Sequence, residues 1–90
     1  MSQFEKTLAA MGVTLPDAPA PAANYVPYVQ VGDMLYVSGQ IAREGDTMMT
    51  GKLGAEMDVA GGAAAARACA IALLAQVKAA CGGDLDRLVR

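Results

Sequence analysis

Residues 28–41 most narrow what this chain can fold into, because they read as a β-hairpin that is apolar on both faces. Tyr28-Val29-Gln30-Val31 and Met34-Leu35-Tyr36-Val37 are rich in β-branched, aromatic and aliphatic residues, which pack well on a pleated surface. Gly32-Asp33 joins them, and glycine supplies the positive φ that a type II′ turn needs at its first central position. Strands are expected near Val26–Val31 and Met34–Gln40. Successive side chains alternate between faces. With Val31 opposite Met34, one face carries Val29, Val31, Met34, Tyr36 and Ser38. The other carries Tyr28, Gln30, Leu35, Val37 and Gly39. One helix covers one such face. The second calls for another cover, and a further subunit is the simplest candidate.

The chain offers one long helix for the task. Asp58 reads as its N-cap, Val59 to about Cys81 as its body, and Gly82-Gly83 as its stop. Alanine, leucine, lysine, arginine and glutamine dominate it, all good helix formers. Val59, Gly62, Ala66, Cys69/Ala70, Leu73, Val77 and Ala80/Cys81 form an apolar stripe at helical spacing. Arg67 and Lys78 mark the solvent side, and Cys69 reads as a small buried hydrophobe. Between hairpin and helix, Arg43-Glu44-Gly45-Asp46 is expected to turn and Thr47–Thr50 to form a short third strand. Gly51-Lys52-Leu53-Gly54 is then a loop. It lacks the phosphate-loop pattern, so Lys52 reads as a solvated side chain.

The flanks are simpler. Ser2-Gln3-Phe4-Glu5 fits a capping box opening a short helix over Gln3–Met11, with Gly12 as terminator. Residues 13–27 hold all four prolines and read as an extended arm. The chain is thus expected to be one domain, 1–90, with 1–24 an N-terminal helix plus a Pro/Ala-rich arm. Asp84 and Asp86 read as caps of a short turn, and Arg87–Arg90 as an entering strand.

Composition removes several functions. Net charge is −2 and the seven Lys and Arg are scattered, which argues against a nucleic-acid footprint. Histidine is absent. Cys69 and Cys81 sit twelve positions apart in one helix, about 18 Å, too far for a disulfide. No metal site is expected. The longest uninterrupted apolar run, Ala68–Ala75, is far below a membrane span, and no signal peptide is evident. Reduced thiols without an export signal favour the cytoplasm. Taken alone, the residues describe a small α+β domain, oligomeric, without a self-sufficient catalytic apparatus.

Pro27-Tyr28-Val29-Gln30, Leu35-Tyr36-Val37-Ser38-Gly39-Gln40-Ile41, the downstream Gly-Lys-Leu-Gly and the Ala-rich helix together resemble the RidA/YjgF family, also called endoribonuclease L-PSP. The helix and Pro-rich lead-in are similar to one branch of it. The resemblance implies an α+β, chorismate-mutase-like fold, a sheet packed against the long Ala-rich helix, here truncated after the first βββα unit. It implies a homotrimer with ligand clefts between subunits and no cofactor. It also implies hydrolysis of reactive 2-imino or enamino acids to 2-oxoacids and ammonia. Ser38 and Gly39 would line the cleft for a small carboxylate ligand, Gly39 through its backbone, and Tyr28 would close it. Catalytic residues are not assigned.

Several features depart from the family pattern. The turn at Gly32-Asp33 is tight, Tyr28 and Ser38 fall on opposite faces by parity, and Ala42 replaces a common proline. The arginine and glutamate that grip the carboxylate and position water in the family have no matching position, so these ninety residues alone are expected to have little deaminase activity. Two other readings stand beside this one: a non-catalytic ligand-binding or interaction module, and an endoribonuclease or translation inhibitor.

Overall fold

The computed structural model describes residues 3–18, 26–44 and 47–89. The elements run α1 (Gln3–Ala10), β1 (Tyr28–Val31), β2 (Met34–Val37), β3 (Arg43–Glu44), β4 (Thr47–Met48), α2 (Val59–Ala80) and a 3-10 turn (Leu85–Arg87). The hairpin forms in the register expected from its turn, with Tyr28 opposite Val37, Val29 opposite Tyr36, Gln30 opposite Leu35 and Val31 opposite Met34. Gly32 has φ 60° and Asp33 is not in positive φ, the pattern of a type II′ turn.

Helix α2 packs across β1, β2 and β3. It half-covers Tyr28, Leu35 and Val37 and leaves Val29, Val31, Met34 and Tyr36 exposed at 46%, 62%, 59% and 59%. The hairpin therefore has one covered and one open apolar face. Among the described residues only Ala75, Leu85 and Gln76 are buried. The chain exposes 6445 Å², against about 4,900 Å² for a compact monomer of its mass. Its radius of gyration is 14.2 Å, against about 12 Å for a closed domain of this length.

Several expectations are corrected. The strands form two separate antiparallel pairs, β1-β2 and β3-β4, instead of one three-stranded sheet. Arg43–Glu44, expected to turn, pairs with Thr47–Met48, and Met49 N–H extends the pairing to the Ala42 carbonyl at 2.9 Å. The expected truncation after a first βββα unit is corrected: the βββα arrangement is fully formed, with α1 before it and the 3-10 turn after it. The turn forms where Asp84 and Asp86 were expected to cap one, but it takes in Arg87, and Leu88 and Val89 form no strand, where an entering strand was expected over Arg87–Arg90. Asp84 caps the turn, accepting from Asp86 N–H at 3.0 Å, and Leu85 is buried beneath it, which pulls the chain into a turn.

The covered side of α2 is also rotated from the expected stripe. Gly62, Cys69 and Val77 are on it, but Val59 is 84% exposed and Leu73 39%. Ala65, Ala72 and Gln76 take the inner positions. Alanine sits equally well on any side, so a helix made of it carries little directional signal. Lys78, expected in solvent, is half-buried and pairs with Glu5 at 3.2 Å. With partial exposure the pair contributes at most about 1 kcal/mol. By length and composition α2, 22 residues, could cross a bilayer, correcting the expectation that nothing reaches that size. Its apolarity comes mostly from alanine, and Ala75 and Gln76 are its buried residues.

Both long-range ends are tied by caps. Asp58 Oδ1 accepts from Gly61 N–H at 2.7 Å at the start of α2. Gly82 N–H to Ala79 O (3.2 Å) and Gly83 N–H to Lys78 O (2.9 Å) close it as a Schellman motif. Helix α1 ends alike, through Val13 N–H to Leu8 O at 2.8 Å. At its start, Gln3 and Phe4 N–H donate to the Asp86 carboxylate at 2.8 and 3.2 Å. Asp86 thus caps a helix more than eighty residues away in sequence, and α1 is docked instead of frayed. Ser2, residues 19–25, Gly45, Asp46 and Arg90 lie outside the described residues, as does most of the expected polyproline run.

Two outcomes follow from these ties. Asp86→Ala removes the acceptor of two α1 N–H groups. It should cost about 1 kcal/mol, seen as a lower melting temperature with loss of α1 helix signal; an unchanged midpoint would contradict the cap. In the 51–57 loop, Glu56 Oε2 accepts from Lys52 N–H at 2.9 Å. That bond, and its own backbone N–H second, hold the Glu56 carboxyl below the usual glutamate range. A lowered pKa makes this contribution present above the ordinary glutamate titration and lost as pH falls through the lowered one. The Lys52 amide resonance should shift with that acid titration and stay flat in Glu56→Gln.

Candidate functional site

The candidate site is the bend where β2 ends, Ser38-Gly39-Gln40. Ser38 N–H still bonds the Pro27 carbonyl at 3.0 Å, one pair beyond the strand. Its hydroxyl shares its hydrogen between the Val26 and Pro27 carbonyls, each 3.0 Å away. Strand pairing stops there because Pro27 has no N–H to return a bond to Ser38. Gly39 then stands exposed, and no heavy atom lies within 4 Å of where a Cβ would sit. The space where a side chain would sit is open, and its φ is not positive, so the opening does not reflect a glycine-only conformation.

The three residues predicted for the site fall in two places. Ser38 and Gly39 lie together at the strand end. Tyr28 is half-buried on the face turned to α2, opposite Val37, as parity requires. The hydroxyl of Ser38 is turned to the β1 end, so in this chain Ser38 orders the backbone beside Gly39.

Three residues that sequence reasoning left out of the site complete its back wall. Gln40 Nε2 donates to the Ser38 carbonyl at 3.3 Å. Gln76, 1% exposed, donates from Nε2 to Gln40 Oε1 at 3.5 Å. Cys69 donates its thiol to the Gln40 carbonyl at 3.6 Å. Cys69 and Gln76 are seven positions apart and so share one side of α2 two turns from each other. The available signal was Gln76, a lone amide among apolar residues on an alanine helix.

Comparison with known proteins places this arrangement in a family. Residues 5–90 match the family described as "YjgF/chorismate mutase-like, putative endoribonuclease". Protein TCP17 of Trypanosoma cruzi is 51% identical over 84 residues, 92% of this chain and 52% of TCP17. The crystal structure of Atu1372 from Agrobacterium tumefaciens, described as of unknown function, superposes with a TM-score of 0.81 at 43% identity, over 97% of this chain and 52% of that one. A protein from Shewanella oneidensis MR-1, described as a "putative endoribonuclease", superposes with a TM-score of 0.84 at 40% identity, over 92% of this chain and 55% of that one. The chain spans about half the length of these relatives. The family match also corrects the expectation of a truncated N-terminal piece of the domain, since it runs through every described element from within α1 to the 3-10 turn. On that match and these likenesses, the chain belongs to the YjgF/RidA/chorismate-mutase-like family.

Proposed function

We propose that the protein hydrolyses reactive 2-imino or enamino acids to 2-oxoacids and ammonia in a cleft formed between copies of itself. The observation that carries this reading is the open space beside Gly39 next to an exposed apolar hairpin face. The exposed Val29, Val31, Met34 and Tyr36 favour self-association, as a homotrimer of the family kind. Since the chain spans about half the length of its relatives, the reading concerns the whole protein.

The chemistry asks little of the protein. A protonated imine carbon is already electrophilic. Water adds to it, the carbinolamine forms, and ammonia leaves with the C–N bond. The site has to hold the substrate carboxylate, limit solvent and orient one water. Gly39 would offer its backbone to the substrate, Ser38 would hold that strand end, and Tyr28 would close the cleft. No cofactor is called for, and the reading places the protein in the cytoplasm. Net charge of −2 and the scattered cations disfavour RNA as substrate. A non-catalytic ligand-binding role at the same bend is the alternative outcome of the test.

The test uses a pyridoxal-phosphate dehydratase to generate a 2-imino acid and follows keto-acid release. The whole protein should accelerate release above the buffer rate. Gly39→Leu fills the open space without backbone strain, and should cut the acceleration about a hundredfold while leaving the melting temperature unchanged. No acceleration by the wild-type protein overturns the reading.

A further inference from the structure

We infer that Met34 is a redox-modification site whose oxidation to the sulfoxide takes the copies of this protein apart. The inference rests on the self-association part of the proposed function, in which another copy covers the Val29, Val31, Met34 and Tyr36 face. Among the described residues three methionines are exposed: Met11 at 69%, Met34 at 59% and Met48 at 52%. Met11 follows α1 and Met48 lies in β4, so Met34 alone of the three belongs to the hairpin face. It opens β2 opposite Val31, with Tyr36 two residues further along the same face. The other positions of that face, two valines and a tyrosine, are favoured strand residues, and methionine is outside that group. What methionine adds is an unbranched, polarizable thioether that adapts to the surface laid against it. The same thioether is open to two-electron oxidants.

The step balances with hydrogen peroxide as co-reactant. The Met34 sulfur attacks one peroxide oxygen, the O–O bond breaks and the S–O bond forms. The second oxygen takes the proton of the first and leaves as water. Sulfur is oxidised by two electrons and the peroxide is reduced. The product carries a strongly polar oxygen where an apolar chain end stood. Val29 and Val31 have no side-chain donor for it, and Tyr36 offers one hydroxyl at the tip of its ring. A polar group taken out of water without a hydrogen bond opposes burial, so the oxidised face favours water over another copy. The reaction takes place on the separated chain, where Met34 is exposed, and a copy laid over the face shields it. Oxidation therefore drains chains from the assembly as they come off, and reduction of the sulfoxide returns them.

Sedimentation equilibrium on the full-length protein before and after hydrogen peroxide tests the inference, with mass spectrometry of its peptides to place the added oxygen. Wild type treated until Met34 carries one oxygen should show a dissociation constant raised about tenfold or more. Methionine sulfoxide reductase, which does not act on oxidised cysteine, should restore it. Met34→Leu keeps Cys69, Cys81, Met11 and Met48 and should stay associated through the same treatment. Met34→Gln, with a permanent polar end, should associate more weakly without any peroxide. An unchanged dissociation constant with Met34 fully converted overturns the inference. So does dissociation of Met34→Leu to the extent of wild type, or dissociation that the reductase does not reverse. Those three results leave the self-association reading standing. A wild-type monomer before peroxide is added overturns that reading and the inference with it.

Discussion

The fold turns on a mismatch of surfaces: a two-sided apolar hairpin meets a single helix. Helix α2 can lie on one side only, and takes the side of Tyr28, Leu35 and Val37. The other side, Val29, Val31, Met34 and Tyr36, is left as an exposed apolar sheet face. The excess of exposed area over that of a compact monomer is about 1,500 Å², of the order that a standard protein interface buries in total. A chain with three buried residues described, one of them a glutamine, does not close a core alone.

The bend at Ser38–Gln40 links that open face to the helix. Ser38 ties the strand end to Val26 and Pro27, and Gln40 ties it to Cys69 and Gln76. Gly39 lies between these anchors with open space before it. Order in this region thus comes from side-chain to backbone bonds instead of apolar burial. Such bonds individually contribute about 1 kcal/mol, but they are directional, which suits a wall whose shape matters more than its strength. At the far end of α2 the same device recurs, with Asp86 and Lys78 drawing α1 onto the helix and the 3-10 turn.

Much of this was legible in the residues. Turn chemistry at Gly32-Asp33 set the hairpin register, and parity then set which side chains share a face. Asp58 and Gly82-Gly83 marked the ends of α2. The alanine helix was legible in extent but not in rotation, because alanine does not distinguish core from solvent. Arg43–Glu44 carry no strand signal and pair only because β4 lies beside them. Arg87–Val89 alternate like a strand, yet local caps and the burial of Leu85 prevailed. Ser38 and Gly39, proposed for the site from a short motif, lie together at the strand end. Gln40, Cys69 and Gln76 were not proposed, since their meeting depends on how α2 crosses the hairpin, a tertiary fact.

The central claim is that the Val29/Val31/Met34/Tyr36 face is covered by another copy of the protein. Sedimentation equilibrium on the wild type and on Val31→Glu/Tyr36→Lys measures it most directly. The account predicts a discrete oligomer for the wild type and a monomer for the double variant, whose new charges cannot be buried at that face. A wild-type monomer at all concentrations, with that face open to water, would contradict it.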